Sequence, residues 1–123
     1  MTNRLTEFLN ASYTAYQATE NARQLLLENG FLPLSETEDW ALEENGKYFV
    51  ERNGSSLVAF TVGALDDFSF KIVASHTDSP ALKLKENAVS LTGAYAKLNA
   101  ETYGGGIWYS FFDRPLKIAG RVV

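Results

Sequence analysis

An Asn53-Gly54-Ser55-Ser56 stretch lies between two β-rich runs, Lys47 to Arg52 (KYFVER) and Leu57 to Val62 (LVAFTV). Asn and Gly both tolerate positive φ, so the pair predicts a tight antiparallel hairpin and commits the middle of the chain to a sheet. After a second turn over Gly63 to Asp67 comes a third run, Phe68 to Ser75 (FSFKIVAS). Its consecutive apolar residues Ile72-Val73-Ala74 suit a strand covered on both faces, as in the middle of an α/β sheet. Ahead of the sheet the period is helical. Leu5, Phe8, Leu9, Ser12, Tyr16, Thr19, Ala22 and Leu26 recur at three- and four-residue steps and predict one amphipathic helix, stopped at Asn29-Gly30. Phe31 to Leu34 reads as an apolar connector, and Trp40-Ala41-Leu42 as a short acidic helix or an irregular turn.

Beyond the third run, Leu82, Leu84, Val89 and Leu91 predict further short strands, with Lys83 and Lys85 facing out. Tyr103-Gly104-Gly105-Gly106 makes a turn, and Leu116 to Val123 resembles a strand still running where the sequence stops. One helix cannot cover both faces of a sheet of five or more strands. Either other chains supply the missing layers, or these residues are the front of a longer protein.

The bulk properties exclude several classes. Of the 123 residues 46% are hydrophobic, enough to bury a core. The net charge is -4, and a nucleic-acid binder normally carries a basic stripe, so no nucleic-acid partner is expected. The acidic excess sits in residues 1–61 and reads as a solvated face. There is no cysteine, which excludes disulfides, thiolate metal sites and a cysteine nucleophile. Leu5 to Tyr16 is broken by Thr6, Glu7, Asn10 and Ser12, so it forms no signal peptide. No apolar run approaches the roughly 20 residues of a membrane span. The expectation is a soluble, cytoplasmic protein with no membrane partner.

His76 is the single histidine, placed just past the end of the third run, where ligands collect in α/β sheets. Asp78 lies two residues on, at a spacing that lets its carboxylate orient a metal-bound imidazole. The plainer reading is a loop histidine beside an aspartate that caps its own turn. A catalytic zinc takes about three protein ligands, so the others would be Asp or Glu, or lie outside the chain. Ser79 is too close in sequence to His76 and Asp78 to complete a nucleophilic triad. Gly104-Gly105-Gly106 lacks the Lys-Ser/Thr ending of a phosphate loop and reads as a turn with close backbone approach. Trp108, Tyr109, Phe111 and Phe112 suit core packing or an oligomer contact, and Asp113-Arg114 a turn or ion pair.

The segment Ala74-Ser75-His76-Thr77-Asp78-Ser79-Pro80, followed by Leu82-Lys83, resembles the first metal-binding motif of the aspartyl aminopeptidase family of di-zinc metallopeptidases. Tyr103 to Val123 (YGGGIWYSFFDRPLKIAGRVV) is similar to that family's glycine triplet, tryptophan, Asp-Arg-x-Leu and Ala-Gly-Arg-Val. Gly30-Phe31, Trp40, Lys47-Tyr48 and Arg52 to Ser56 fall in the family's order, so the resemblance covers essentially the whole chain. It implies that His76 ligates one of two zinc ions and that Asp78 is its orienting catalytic partner. It further implies an α/β catalytic domain, a helix plus mixed sheet, over residues 1–84. From 85 to 123 it implies the start of a β-rich dimerisation insert, in homodimers that build dodecamers. The reaction implied is hydrolysis of an N-terminal residue of peptides, preferably acidic, with a glutamate as general base.

Departures from the family pattern are equally specific. Its bridging aspartate, catalytic glutamate and remaining ligands come later than residue 123. Gln17 stands where many members carry histidine in a Ser-x-Thr-x-Phe-His stretch, and Phe111 and Pro115 replace a tryptophan and an acidic residue. The reading that follows is the N-terminal part of a cytoplasmic zinc aminopeptidase, inactive as an isolated piece. The alternative is a truncated, non-catalytic derivative acting as an assembly or binding module through its aromatic tail.

Overall fold

The computed structural model describes residues 2–64 and 69–122. Most of the turn expected over Gly63 to Asp67, and Phe68 at the head of the expected third strand, lie outside the described residues. The chain divides into two compact units, one of residues 1–78 with 119–123 and one of residues 79–118. That division falls ahead of the boundary drawn after Leu84.

In the first unit the single expected helix is two, α1 (Thr2–Ala11) and α2 (Ala15–Glu28). Ser12 and Thr14 interrupt the stripe because their hydroxyls serve the backbone at the break. Ser12 Oγ donates to Phe8 O at 2.7 Å, and Thr14 caps α2 by accepting from Tyr16 N at 3.3 Å. The Thr14 hydroxyl also donates to Gln17 Oε1, a side-chain variant of the capping box that Thr-x-x-Gln encodes. Helix α2 ends as Asn29-Gly30 predicts. Gly30 takes φ 78°, Gly30 N donates to Leu27 O and Phe31 N to Leu26 O, the two bonds of a Schellman cap. Lys47 Nζ donates to Asn29 O at 3.3 Å and ties this end to the sheet.

The sheet has three strands in the order β1 (Leu32–Pro33), β2 (Lys47–Arg52) and β3 (Ser56–Thr61). It is mixed: β1 runs parallel to β2, and β3 antiparallel, with Arg52 opposite Ser56. The residues read as a connector thus contribute a strand edge. Asn53 and Gly54 take φ 56° and 65°, and Ser55 N closes the turn on Arg52 O at 3.2 Å. Being central, β2 carries the core on consecutive positions, Tyr48, Phe49 and Val50, all buried. Helix α2 packs on β3 and buries Thr19. Trp40, in an irregular turn, stacks on Phe60 at 6.1 Å, and Phe60 packs on Tyr48 at 5.7 Å.

The third strand does not form. Residues 69–75 make no ladder, and Phe70, Ile72 and Val73 are exposed, Val73 almost fully at 98%. A strand covered on both faces needs neighbours on its edges and layers above and below, and the described residues supply none. The tail is corrected in the same way, since residues 116–122 carry no strand.

The second unit is a long antiparallel hairpin, β4 (Ala81–Thr92) and β5 (Tyr95–Tyr103), turning at Gly93-Ala94, followed by a 3-10 helix, Trp108–Phe111. The expected short strands are therefore one strand, and Tyr95 to Tyr103, not foreseen as a strand, is its partner. Leu84 lies opposite Ala100 and Val89 opposite Leu98, so Lys85 to Ala88 bulge against Asn99 alone. Asn99 Nδ2 crosses this bulge to Asn87 O at 2.8 Å. Directly opposed residues share a face, so Leu82, Leu84, Val89, Leu91, Ala96, Leu98 and Ala100 lie together. The other face carries the cross-strand pairs Lys83–Glu101 and Ser90–Lys97. The glycine triplet is a turn packed on Pro80 and Trp108, as expected.

Candidate metal centre

His76 follows residues 69–75, which form no strand, so its backbone is held by no sheet ladder, and the end of a buried strand on which it was expected is absent. The support is local and side-chain made. His76 Nδ1 and Asp78 Oδ1 lie 3.0 Å apart. An ionised carboxylate only accepts, so Nδ1 carries the proton and donates to it. The neutral ring then presents its lone pair at Nε2. The His76 side chain is 89% exposed and that of Asp78 38%, which leaves the Nε2 edge open to solvent.

Between them, Thr77 points back into the unit. Its Oγ1 donates to Ser55 O at 2.7 Å, in the hairpin turn. The same turn is touched a second time: Arg121 Nη1 donates to Asn53 O at 3.0 Å, and the guanidinium lies 4.4 Å over the Tyr16 ring. Gly54 sits in this cluster, where an added Cβ would come within 4 Å of Glu51, Arg121 and Tyr16. Thr77, Asn53 to Ser55 and Arg121 were not singled out as site residues. Their partners lie 22 and 68 positions away, and no local pattern marks such contacts.

The donor set fits a zinc ion in part. A neutral imidazole whose other nitrogen is held by a carboxylate is the arrangement metal-ligating histidines adopt. Among the described residues no group of three His, Cys, Asp or Glu side chains comes together around His76 or elsewhere. Gln17, where a histidine was expected by resemblance, is engaged in the cap of α2.

A family model described as aminopeptidase I zinc metalloprotease (M18) matches residues 8–123. A probable M18 family aminopeptidase 2 from Clostridium acetobutylicum is 46% identical over 122 residues, which cover 97% of this chain and 28% of the relative. Aspartyl aminopeptidase 4 from Saccharomyces cerevisiae is 45% identical over 119 residues, covering 94% of this chain and 24% of the relative. Among solved structures, the cryo-EM structure of the Ape4 and Nbr1 complex matches with a TM-score of 0.83 at 43% identity. The match covers 88% of this chain and 21% of that one. The chain thus spans about a quarter of the length of the curated relatives it matches.

Proposed function

The chain belongs to the M18 family of aminopeptidase I zinc metalloproteases, and from that premise we propose that it supplies His76 to the zinc site of an aminopeptidase. The substrates on this reading are peptides, cleaved behind an N-terminal residue that is preferably acidic. The observation that carries the proposal is the His76–Asp78 pair, with Nδ1 engaged at 3.0 Å and Nε2 open. Asp78 fixes the tautomer and stops the ring from turning, so that Nε2 can hold one of two zinc ions. Zinc held there would supply Lewis acidity towards a peptide carbonyl and towards water. The general base and further ligands are not provided by His76 and Asp78.

On the same reading residues 1–84 contribute to a catalytic domain and 85–123 to a dimerisation insert, in dimers that assemble into dodecamers in the cytoplasm. No helix among the described residues is long and apolar enough to cross a membrane. An assembly module is the second reading, favoured by the exposure of Tyr109 in the 3-10 helix and of Phe112 just after it.

A zinc titration followed by NMR on the single histidine tests the first reading. Zinc is expected to shift Nε2 while Nδ1 keeps its proton, and Asp78→Asn to weaken binding by about 10- to 100-fold. Attachment at Nδ1, or no response of the ring, would refute it. With one ligand in hand, the isolated chain is expected to show no turnover of aminoacyl chromogenic substrates in the presence of zinc.

A further inference from the structure

The chain leaves the first unit after Asp78 and rejoins it at Ala119, and residues at both junctions hydrogen-bond to one turn. At the exit, Thr77 Oγ1 donates to Ser55 O, and at the return Arg121 Nη1 donates to Asn53 O. We propose that the Asn53-Gly54-Ser55 turn is the positioning element of the His76 loop, with Thr77 as its latch and Arg121 as the brace that holds the turn in place. The proposal rests on the reading of His76 as a metal ligand, and it concerns what keeps that ligand in place.

Three features support it. The approach to the loop, residues 69–75, has no ladder, so the backbone at His76 takes no rigidity from a strand. The turn is itself well defined, closed by Ser55 N on Arg52 O with both central residues at positive φ. Arg121 meets it with two kinds of contact, a hydrogen bond to the turn and a stack on Tyr16 of α2, which braces the turn against the helix. Thr77 lies between ligand and orienting carboxylate in sequence, so fixing its side chain fixes the backbone from which both project. A ring already aimed loses less freedom on binding a metal, and pre-organisation of this kind appears as affinity. Rejoining of the chain at Arg121 is thereby coupled to order at His76.

Backbone NMR relaxation of the 123-residue chain tests this without requiring activity. In the wild type His76, Thr77 and Asp78 should show order parameters near the rigid value of about 0.85. Thr77→Val should drop them below about 0.6, and Thr77→Ser, which keeps the hydroxyl, should restore them. Arg121→Gln should loosen residues 53–55 and 76–78 together. Zinc affinity at Nε2 should fall about tenfold in Thr77→Val and recover in Thr77→Ser. A rigid loop in Thr77→Val, a Thr77→Ser variant as loose as the valine one, or an Arg121→Gln variant that frees the turn alone would each overturn the proposal. Absence of any zinc response in the wild type would remove the metal reading instead, while the order parameters would still decide whether the latch exists.

Discussion

Thr19, on the inner face of α2, is fully buried, and its Oγ1 has no hydrogen-bond partner among the described residues. A hydroxyl left dry in this way costs about 1–3 kcal/mol. Thr19→Val exchanges that hydroxyl for a methyl of similar size, and the helix propensities of the two residues nearly coincide. The substitution therefore isolates one polar atom. Relief of its desolvation should stabilise the first unit by about 1–2 kcal/mol, against the general trend that substitutions destabilise. With a urea m-value of about 1–3 kcal/mol/M, the unfolding midpoint should rise by about 0.3–2 M. Fluorescence of Trp40, stacked on Phe60, reports on this unit, and a Trp108→Phe background removes the signal of the other. Thr19→Ser keeps the hydroxyl and opens a methyl-sized void, so its midpoint should fall. A valine variant equal to or less stable than the wild type would refute the reasoning, because it would show that the hydroxyl is satisfied in solution.

Phe49→Ala removes the most deeply buried side chain of the central strand and should cost about 3–5 kcal/mol in the same urea assay. Thr14→Ala removes the cap between the two helices and should cost about 1 kcal/mol, read as lost ellipticity and a lower midpoint. Hydrogen bonds from Arg23 and then Gln24 lower the Glu20 carboxyl to about 2. A depressed folded value stabilises above the ordinary range, so this contribution is complete above about pH 4.5 and is lost as the pH falls towards about 2. The pair is half exposed, so it amounts to a few tenths of a kcal/mol, and Glu20→Gln should flatten the acid limb of the stability profile by that amount.

What could be read in the sequence was what neighbours in sequence decide. Asn53-Gly54 and Asn29-Gly30 form their turn and cap because the torsions they require belong to those residues themselves. The His76–Asp78 bond spans two residues, and its spacing announced it. The break between α1 and α2 was written as Thr14-x-x-Gln17, but the apolar stripe runs through it and suggested one helix. Ile72-Val73-Ala74 has strand character but joins no ladder among the described residues, because burial depends on packing layers that the composition of one segment does not supply. Tyr95 to Tyr103 carries Lys97, Asn99 and Glu101 on one face, which masked a strand that its pairing with β4 establishes. Thr77 and Arg121 have no signature at all, since their acceptors are backbone carbonyls remote in sequence.

The bulge in β4 also bears on how this hairpin can change in length. Leu82 and Leu84 are even-numbered and Val89 and Leu91 odd, yet all four face the same way, because Lys85 to Ala88 stand opposite the single residue Asn99. Regular alternation would set Leu84 and Val89, five positions apart, on opposite faces, and the bulge supplies the odd residue that returns them to one side. Losing or gaining two residues within Lys85 to Ala88 leaves every leucine and valine beyond on its present side. Losing or gaining one would leave an odd number of residues between Leu84 and Val89, a spacing that regular alternation by itself sets on one face, so the irregularity rather than the facing would go. Changes of length here should therefore alter the kink of the hairpin before they alter which side chains share a face.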